Sequence, residues 1–303
     1  MAAIRKNRIK LTVGDRVFNA VNLILMILIL AIIIYPLWFV VIASFSDSAS
    51  VLAGEVWLWP KGFHLDSYRR VFANSQIRTG YLNTIIYTVL GTFVNLVGTV
   101  ALAYPLSRRD FAGRNVIMLF LTITMFFNGG MIPTYLVYRQ IGIVNTPWVM
   151  ILTGAVSVYN TILVRTFFQS QPFELQEAAM IDGCSNMRLL LQIILPLSKP
   201  ILAVMVIFYG VAHWNDYFNA LIYLSDDALK PLALVLRDIL ITTTESAGGR
   251  DNAGAGASQA ELARTAESMK YAVIIVSTVP MLCLYPFTQK YFSKGVMLGA
   301  IKG

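Results

Sequence analysis

The sequence predicts an all-α membrane protein of six transmembrane helices with both termini on the inner side, and three observations carry that prediction. Hydrophobic residues make up 57% of the 303 residues and charged residues only 13%, where a soluble domain carries roughly 25% charged. A water-facing shell around that much apolar material would need charges that this chain lacks, and its mean hydropathy is +0.65. The apolar residues gather into stretches of about 20, the length that crosses a hydrocarbon core as a helix. Lys and Arg concentrate on alternate connecting segments, as they do when spans are inserted with the positive side inside.

The spans fall at 17–43, 80–106, 114–136, 147–168, 200–224 and 270–292. Arg5, Lys6, Arg8, Lys10 and Arg16 precede the first. Its core, Val21 to Ile42, exceeds the roughly 7–15 residues of a secretory signal, so it reads as a retained span. With the N-terminus inside, the inner segments hold 14 Lys and Arg and a net charge of +9, while the longer outer loops hold 10 and net zero. Trp57, Trp59 and Trp148 flank spans, where indole prefers the headgroup boundary. Two large outer loops, 44–79 and 225–269, are polar, and the second contains a glycine-rich tip at 248–256. No repeat of 20–50 residues occurs, so residues 1–303 read as one transmembrane domain.

Several function classes fall away. The net charge of +8 is spread singly between apolar runs and follows membrane topology, so it does not mark a nucleic-acid surface. Cys184 and Cys283 stand 99 positions apart and form neither a disulfide framework nor a metal spacing. The chain lacks the phosphate-cradling G-x-x-x-x-G-K-[ST] loop and shows neither H-E-x-x-H nor G-x-S-x-G. His64 and His213 have no partners that the sequence places near them. No catalytic residue, metal site or bound cofactor is expected.

The most informative inner segment is the loop 169–200. Pro172 suits the first turn of a helix that Ser170 can cap, and Glu174 and Glu177 lie toward its positive end. Gly183 supplies a left-handed residue to end that helix. Ser185 can cap a second, whose apolar run Leu189 to Leu195 stops at Pro196. Ala178 and Ala179 leave a smooth face for close approach by another protein.

The pattern Glu177-Ala178-Ala179, then Gly183, then Ile193-x-Leu195-Pro196 resembles the EAA loop of permease subunits of ABC importers. By average residue usage it would match by chance on the order of 10⁻⁸ per start site. The elements Trp214-Asn215-Asp216-Tyr217, Leu221-Ile222-Tyr223-Leu224 and the tail from Tyr285 through Lys294-Gly295 to Gly303 are similar to the carbohydrate branch of that family. Within that branch they look most like maltose-type second permeases, especially the oligosaccharide group with the alginate and aldouronate importers.

The resemblance implies a permease subunit in the cytoplasmic (inner) membrane, importing sugars or oligosaccharides in an ATP-driven, binding-protein-dependent way. It implies a heterodimer with a second permease, two cytoplasmic ATPase subunits that bind ATP and Mg, and an extracytoplasmic solute-binding protein. By the same resemblance Glu177, Ala178, Ala179, Asp182, Gly183, Ile193, Leu195 and Pro196 couple the chain to the ATPases. The outer loop before the last span would face the binding protein.

Polar residues inside spans are costly and face a cavity or a partner. Asn83, Thr84, Tyr87, Thr88, Thr92 and Asn95 in span two, Tyr159 and Asn160 in span four, and His213, Trp214, Asn215, Asp216, Tyr217 and Asn219 in span five are therefore candidates for a transport path. Amides, carboxylates and aromatic faces suit sugars. Helix–helix hydrogen bonds are the competing reading. The alternative function is an ion-coupled secondary carrier, a class usually built from internal repeats around a midplane ion site.

Overall fold

The computed structural model describes residues 12–248, 269–283 and 286. These are all-helical, with no strand among the described residues. The helices are α1 (Val13–Ser44), α2 (Ser48–Leu52), α3 (Asp66–Ala73), α4 (Ser75–Ser107), α5 (Arg114–Phe126), α6 (Met131–Gln140), α7 (Pro147–Leu152), α8 (Val158–Gln169) and α9 (Phe173–Ile181). They continue with α10 (Asn186–Leu189), a π turn at Leu190–Ile194, α11 (Leu195–Leu197), α12 (Lys199–Trp214), α13 (Tyr217–Tyr223), α14 (Leu232–Gly248) and α15 (Met269–Cys283).

Among the described residues two helices, α1 and α4, are long and apolar enough to cross a membrane. The number reaches four if two bent pairs each count as one span. The breaks have local causes. Between α5 and α6 the chain bends by 113° at Asn128-Gly129-Gly130, where Gly130 has φ +81° and its N–H donates to Asn128 Oδ1 at 3.0 Å. The stretch 147–168 is interrupted at Gly154, φ +69°, before Ser157 caps α8 by accepting from Asn160 N. The stretch 200–224 breaks after Trp214, and Asp216 opens α13 by accepting from Asn219 N at 3.2 Å. Such breaks are tolerated at membrane depth where protein re-satisfies the freed backbone groups. The glycine-rich tip beyond Gly248 and the tail, Pro286 apart, lie outside the described residues.

Two compact units are distinguished, Met1–Arg69 with Asp251–Ile275, and Arg70–Arg250 with Val276–Gly303. In the first, the capping box between Thr12 and Asp15 starts α1. After α1 the following segment folds around Phe45, which packs on Phe63 and Tyr68, while Ser44 Oγ and Tyr68 OH share a 2.8 Å hydrogen bond. The second unit is organised by α4, which packs against α12, α8, α14 and α7. A stripe of small residues permits those approaches. A Cβ on Gly91 would lie 2.5 Å from the His213 ring, and one on Gly80 would lie 3.2 Å from the backbone of Leu232.

Candidate coupling loop and polar path

The loop 169–200 folds as two short helices joined by an elbow. Gly183 has φ +76°, and its N–H and that of Cys184 return to the carbonyls of Met180 and Ala179. That closure requires the left-handed residue the sequence supplies. Ser185 caps α10 by accepting from Arg188 N. The helix then widens into a π turn through Leu195 N–H to Leu190 O. Pro196 cannot donate to Gln192, and its ring would strike that carbonyl in a regular helix, so the wider turn relieves the conflict. An 81° bend follows, and α12 begins. Ser170 does not cap α9; its hydroxyl donates to Phe167 O and finishes α8. Pro172 takes the cap position without a side-chain bond.

The two alanines part company. Ala179 is buried in a cluster with Ala103, Tyr104, Val164, Phe168, Leu189, Ile194, Met205 and Tyr209, against which Ile193 and Leu195 also pack. Ala178, one residue and about 100° around the helix, is exposed beside Glu177, Ile181 and Asp182. One alanine therefore seats the helix on the membrane helices and the other faces outward. Pro196 is exposed at the far end of the loop.

Arg108 locks this seat. It is 7% exposed although it carries a full charge. Its guanidinium grips Asp110 with two bonds of 3.0 Å, donates to Gln176 Oε1 at 3.1 Å and reaches Met180 Sδ at 3.3 Å. The hydrogen bond from Arg108 holds the Asp110 carboxyl below the usual carboxylate range, and the same bond pushes Arg108 further up. Tyr104 OH adds a bond to Asn186 O, and Gln171 Nε2 donates to Ser198 Oγ at 2.6 Å. The C-terminal end of α4 is thus tied to both helices of the loop. From the sequence Arg108 contributes only to the inner charge count. The missed signal is a cation at a helix C-terminus with an acid two residues on.

The polar residues of the spans fall into two groups. Asn83 Nδ2 donates to Ala228 O and Lys230 O, Tyr87 OH donates to Leu229 O, and Thr84 Oγ1 accepts from Leu232 N. These side chains staple the connection between α13 and α14. Asn95 donates to Gly154 O at 2.7 Å and meets His213 Nε2 at 2.6 Å. His213 therefore has a partner that spacing alone does not place beside it. Trp214 Nε1 donates to Ser277 O, Asn215 Nδ2 to Val211 O, and Asp216 Oδ2 accepts from Asn219 Nδ2 at 2.8 Å. Trp214 and Asn215, with Leu232, Leu236, Ser277 and Met281, border a cavity of about 230 Å³. Tyr159 and Tyr217 are exposed and Asn160 is buried. Among the described residues no group of His, Cys, Asp or Glu is arranged to hold a metal ion.

Residues 88–298 match the family described as binding-protein-dependent transport system inner membrane component. The chain is 39% identical over 292 residues to Protein LplC of Bacillus subtilis (strain 168), covering 96% of this chain and 97% of that one. It is 38% identical to the polygalacturonan/rhamnogalacturonan transport system permease protein YtcP of the same organism, over 95% and 99% of the two chains. Among solved structures, a chain of a bacterial ABC transporter involved in the import of the acidic polysaccharide alginate superposes with a TM-score of 0.85 at 31% identity. That match covers 94% of this chain and all (100%) of that one.

Proposed function

Because the chain belongs to the family of binding-protein-dependent transport system inner membrane components, we propose that it is one permease of an ATP-driven importer of acidic oligosaccharides, moved by ATPases that grip its inner loop. Membership sets aside the ion-coupled carrier weighed from sequence. In this reading residues 1–303 form one membrane domain of six spans, N-in and C-in, the interrupted stretches 114–136, 147–168 and 200–224 each counting as a span. The excess of basic residues on the inner segments supports that orientation.

The observation that carries the coupling role is the seat of α9, fixed inward by Ala179, Gln176 and Met180 and left bare outward at Glu177, Ala178, Ile181 and Asp182. A helix held on one face and exposed with apolar and acidic groups on the other is suited to a partner's cleft. Glu177, Ala178, Asp182 and Gly183 make the contact in this proposal, while Ala179, Ile193, Leu195 and Pro196 hold its angle. ATP and Mg bind the partner ATPase subunits, and this chain holds no cofactor. A second permease completes the heterodimer, and an extracytoplasmic solute-binding protein delivers the solute.

An acidic sugar fits one observation: named relatives handle polygalacturonan and alginate. Asp216 accepts from the neutral amide groups of Asn219 with both oxygens, which caps α13. Tyr159, Asn160, Trp214, Asn215, Asp216 and Tyr217 line the path in this reading, and Asn83 and Tyr87 shape its outer end through the connection they staple. The test is reconstitution of the complex with its binding protein in vesicles and comparison of uronate and neutral oligosaccharides. ATP-driven uptake of uronates alone supports the proposal. Uptake of neutral sugars only would reject the acidic assignment, and no ATP-dependent uptake would reject the importer.

A further inference from the structure

We propose that a polar cavity at the inner ends of α4, α5 and α8 holds the phosphate headgroup of an anionic phospholipid. The cavity measures about 520 Å³, and Ser107, Arg109, Arg114, Gln171, Glu174 and Gln176 are on its wall. Three membrane helices meet it at their ends: α4 finishes at Ser107, α5 begins at Arg114 and α8 finishes at Gln169. A cavity bounded by the ends of membrane helices lies at headgroup depth, and basic pockets there on the cytoplasmic side suit anionic lipids. This placement rests on the inward orientation proposed above.

The charges are arranged for an anion. Arg108, just behind, is answered by Asp110. Arg109 and Arg114 have no ion pair with a carboxylate among the described residues. Arg109 stacks on Phe173 at 4.9 Å from the ring centroid, a contact with the ring face that provides no oxygen acceptor. Arg114 spends one N–H on Arg108 O at 3.1 Å and, as a guanidinium with five donors, keeps others. Arg165 adds a third positive charge close by, its Nε held at 2.9 Å by Leu106 O. Glu174 is the one acid on the wall. The balance is cationic, and planar guanidinium groups match phosphate oxygens in pairs. The amide N–H groups of Gln176, whose Oε1 alone is engaged, and the second N–H of Gln171, whose first donates to Ser198 Oγ, can serve the remaining oxygens.

The test uses the assembled transporter in vesicles of phosphatidylcholine, with or without about one fifth phosphatidylglycerol, followed by native mass spectrometry of retained lipid. Wild type should retain phosphatidylglycerol. Arg109→Gln with Arg114→Gln should weaken retention roughly tenfold to thirtyfold, from about one basic contact's worth per residue, and the double Lys variant should recover much of it. Should the double Gln variant fail to assemble, Arg109→Gln alone is read instead, with a several-fold loss expected. Equal retention in wild type and variant would overturn the proposal. Displacement of phosphatidylglycerol by millimolar inorganic phosphate would assign the site to free phosphate and overturn the lipid source. Loss of the ATPase subunits from the variant with lipid retention unchanged would make this surface a protein contact and equally overturn it. A cysteine replacing Phe111, if labelled only from outside, would reject the orientation separately from the lipid result.

Discussion

Arg108→Met removes the lock between α4 and the loop 169–200 while keeping most of the buried aliphatic volume. The guanidinium bond to the half-buried Gln176 carries most of the energy, because a hydrogen bond to a charged group contributes about 1.5–3 kcal/mol. The Asp110 side chain is 64% exposed, so that ion pair adds at most about 1 kcal/mol after solvent screening. A loss of about 2 kcal/mol would raise the population of unseated α9 roughly thirtyfold. Hydrogen exchange of the assembled complex should show the amides of Asp182, Gly183 and Cys184, which close onto α9 carbonyls, exchanging faster by about that factor. ATP hydrolysed per solute imported should rise as the grip slips. Unchanged exchange at these amides, with Arg108→Met folded and assembled, would refute the idea that Arg108 seats the loop.

Gly183→Val should weaken ATPase association or uncouple hydrolysis from uptake. The space around a Cβ there is open, so the effect comes from the left-handed backbone, at about 1–2 kcal/mol, and co-purification of the ATPases reads it. Gly91→Ala should cost about 1–3 kcal/mol by overpacking against His213, lowering the melting temperature of the detergent-solubilised complex. Asn83→Ala frees the carbonyls of Ala228 and Lys230 and should speed proteolysis at the connection between α13 and α14 without loss of membrane insertion. The folded Asp110 carboxyl titrates below its ordinary value because Arg108 bonds to it. Its contribution is therefore present at neutral pH and lost as pH falls through and below the usual carboxylate range. Asp110→Asn should lower stability at pH 7 more than at about pH 2, well below the ordinary carboxylate value, and equal loss at both would contradict the pairing.

The membrane class, the first two spans and the elbow at Gly183 are legible because they depend on local signals. Hydropathy marks α1 and α4, and Gly183 with Ser185 dictates a left-handed stop and a new cap within three residues. The interruptions at Gly130, Gly154 and Asn215-Asp216 are harder to read, since a hydropathy average passes over one or two polar or glycine residues whose backbone is re-satisfied only by neighbours. The division of Ala178 from Ala179 is likewise tertiary. Two adjacent alanines look alike until Tyr104, Val164 and Leu189 arrive on one side. Thr84, Thr88, Thr92 and Asn95 follow one another at helical spacing on one face of α4. Its use is decided by distant residues, His213 against Asn95 and the Leu232 N–H against Thr84, which spacing along one helix cannot supply.

The most direct measurement is disulfide or maleimide cross-linking of the assembled complex, with cysteines introduced singly at Ala178 and at Ala179 and the ATPase subunits probed for the adduct. Position 178, exposed on α9, should link to an ATPase in a nucleotide-dependent way, while position 179, buried in the cluster with Tyr104, Val164 and Leu189, should not. Cross-linking from 179 and not from 178, or from neither while ATP still drives uptake, would contradict the claim that this face of the loop receives the ATPase motion.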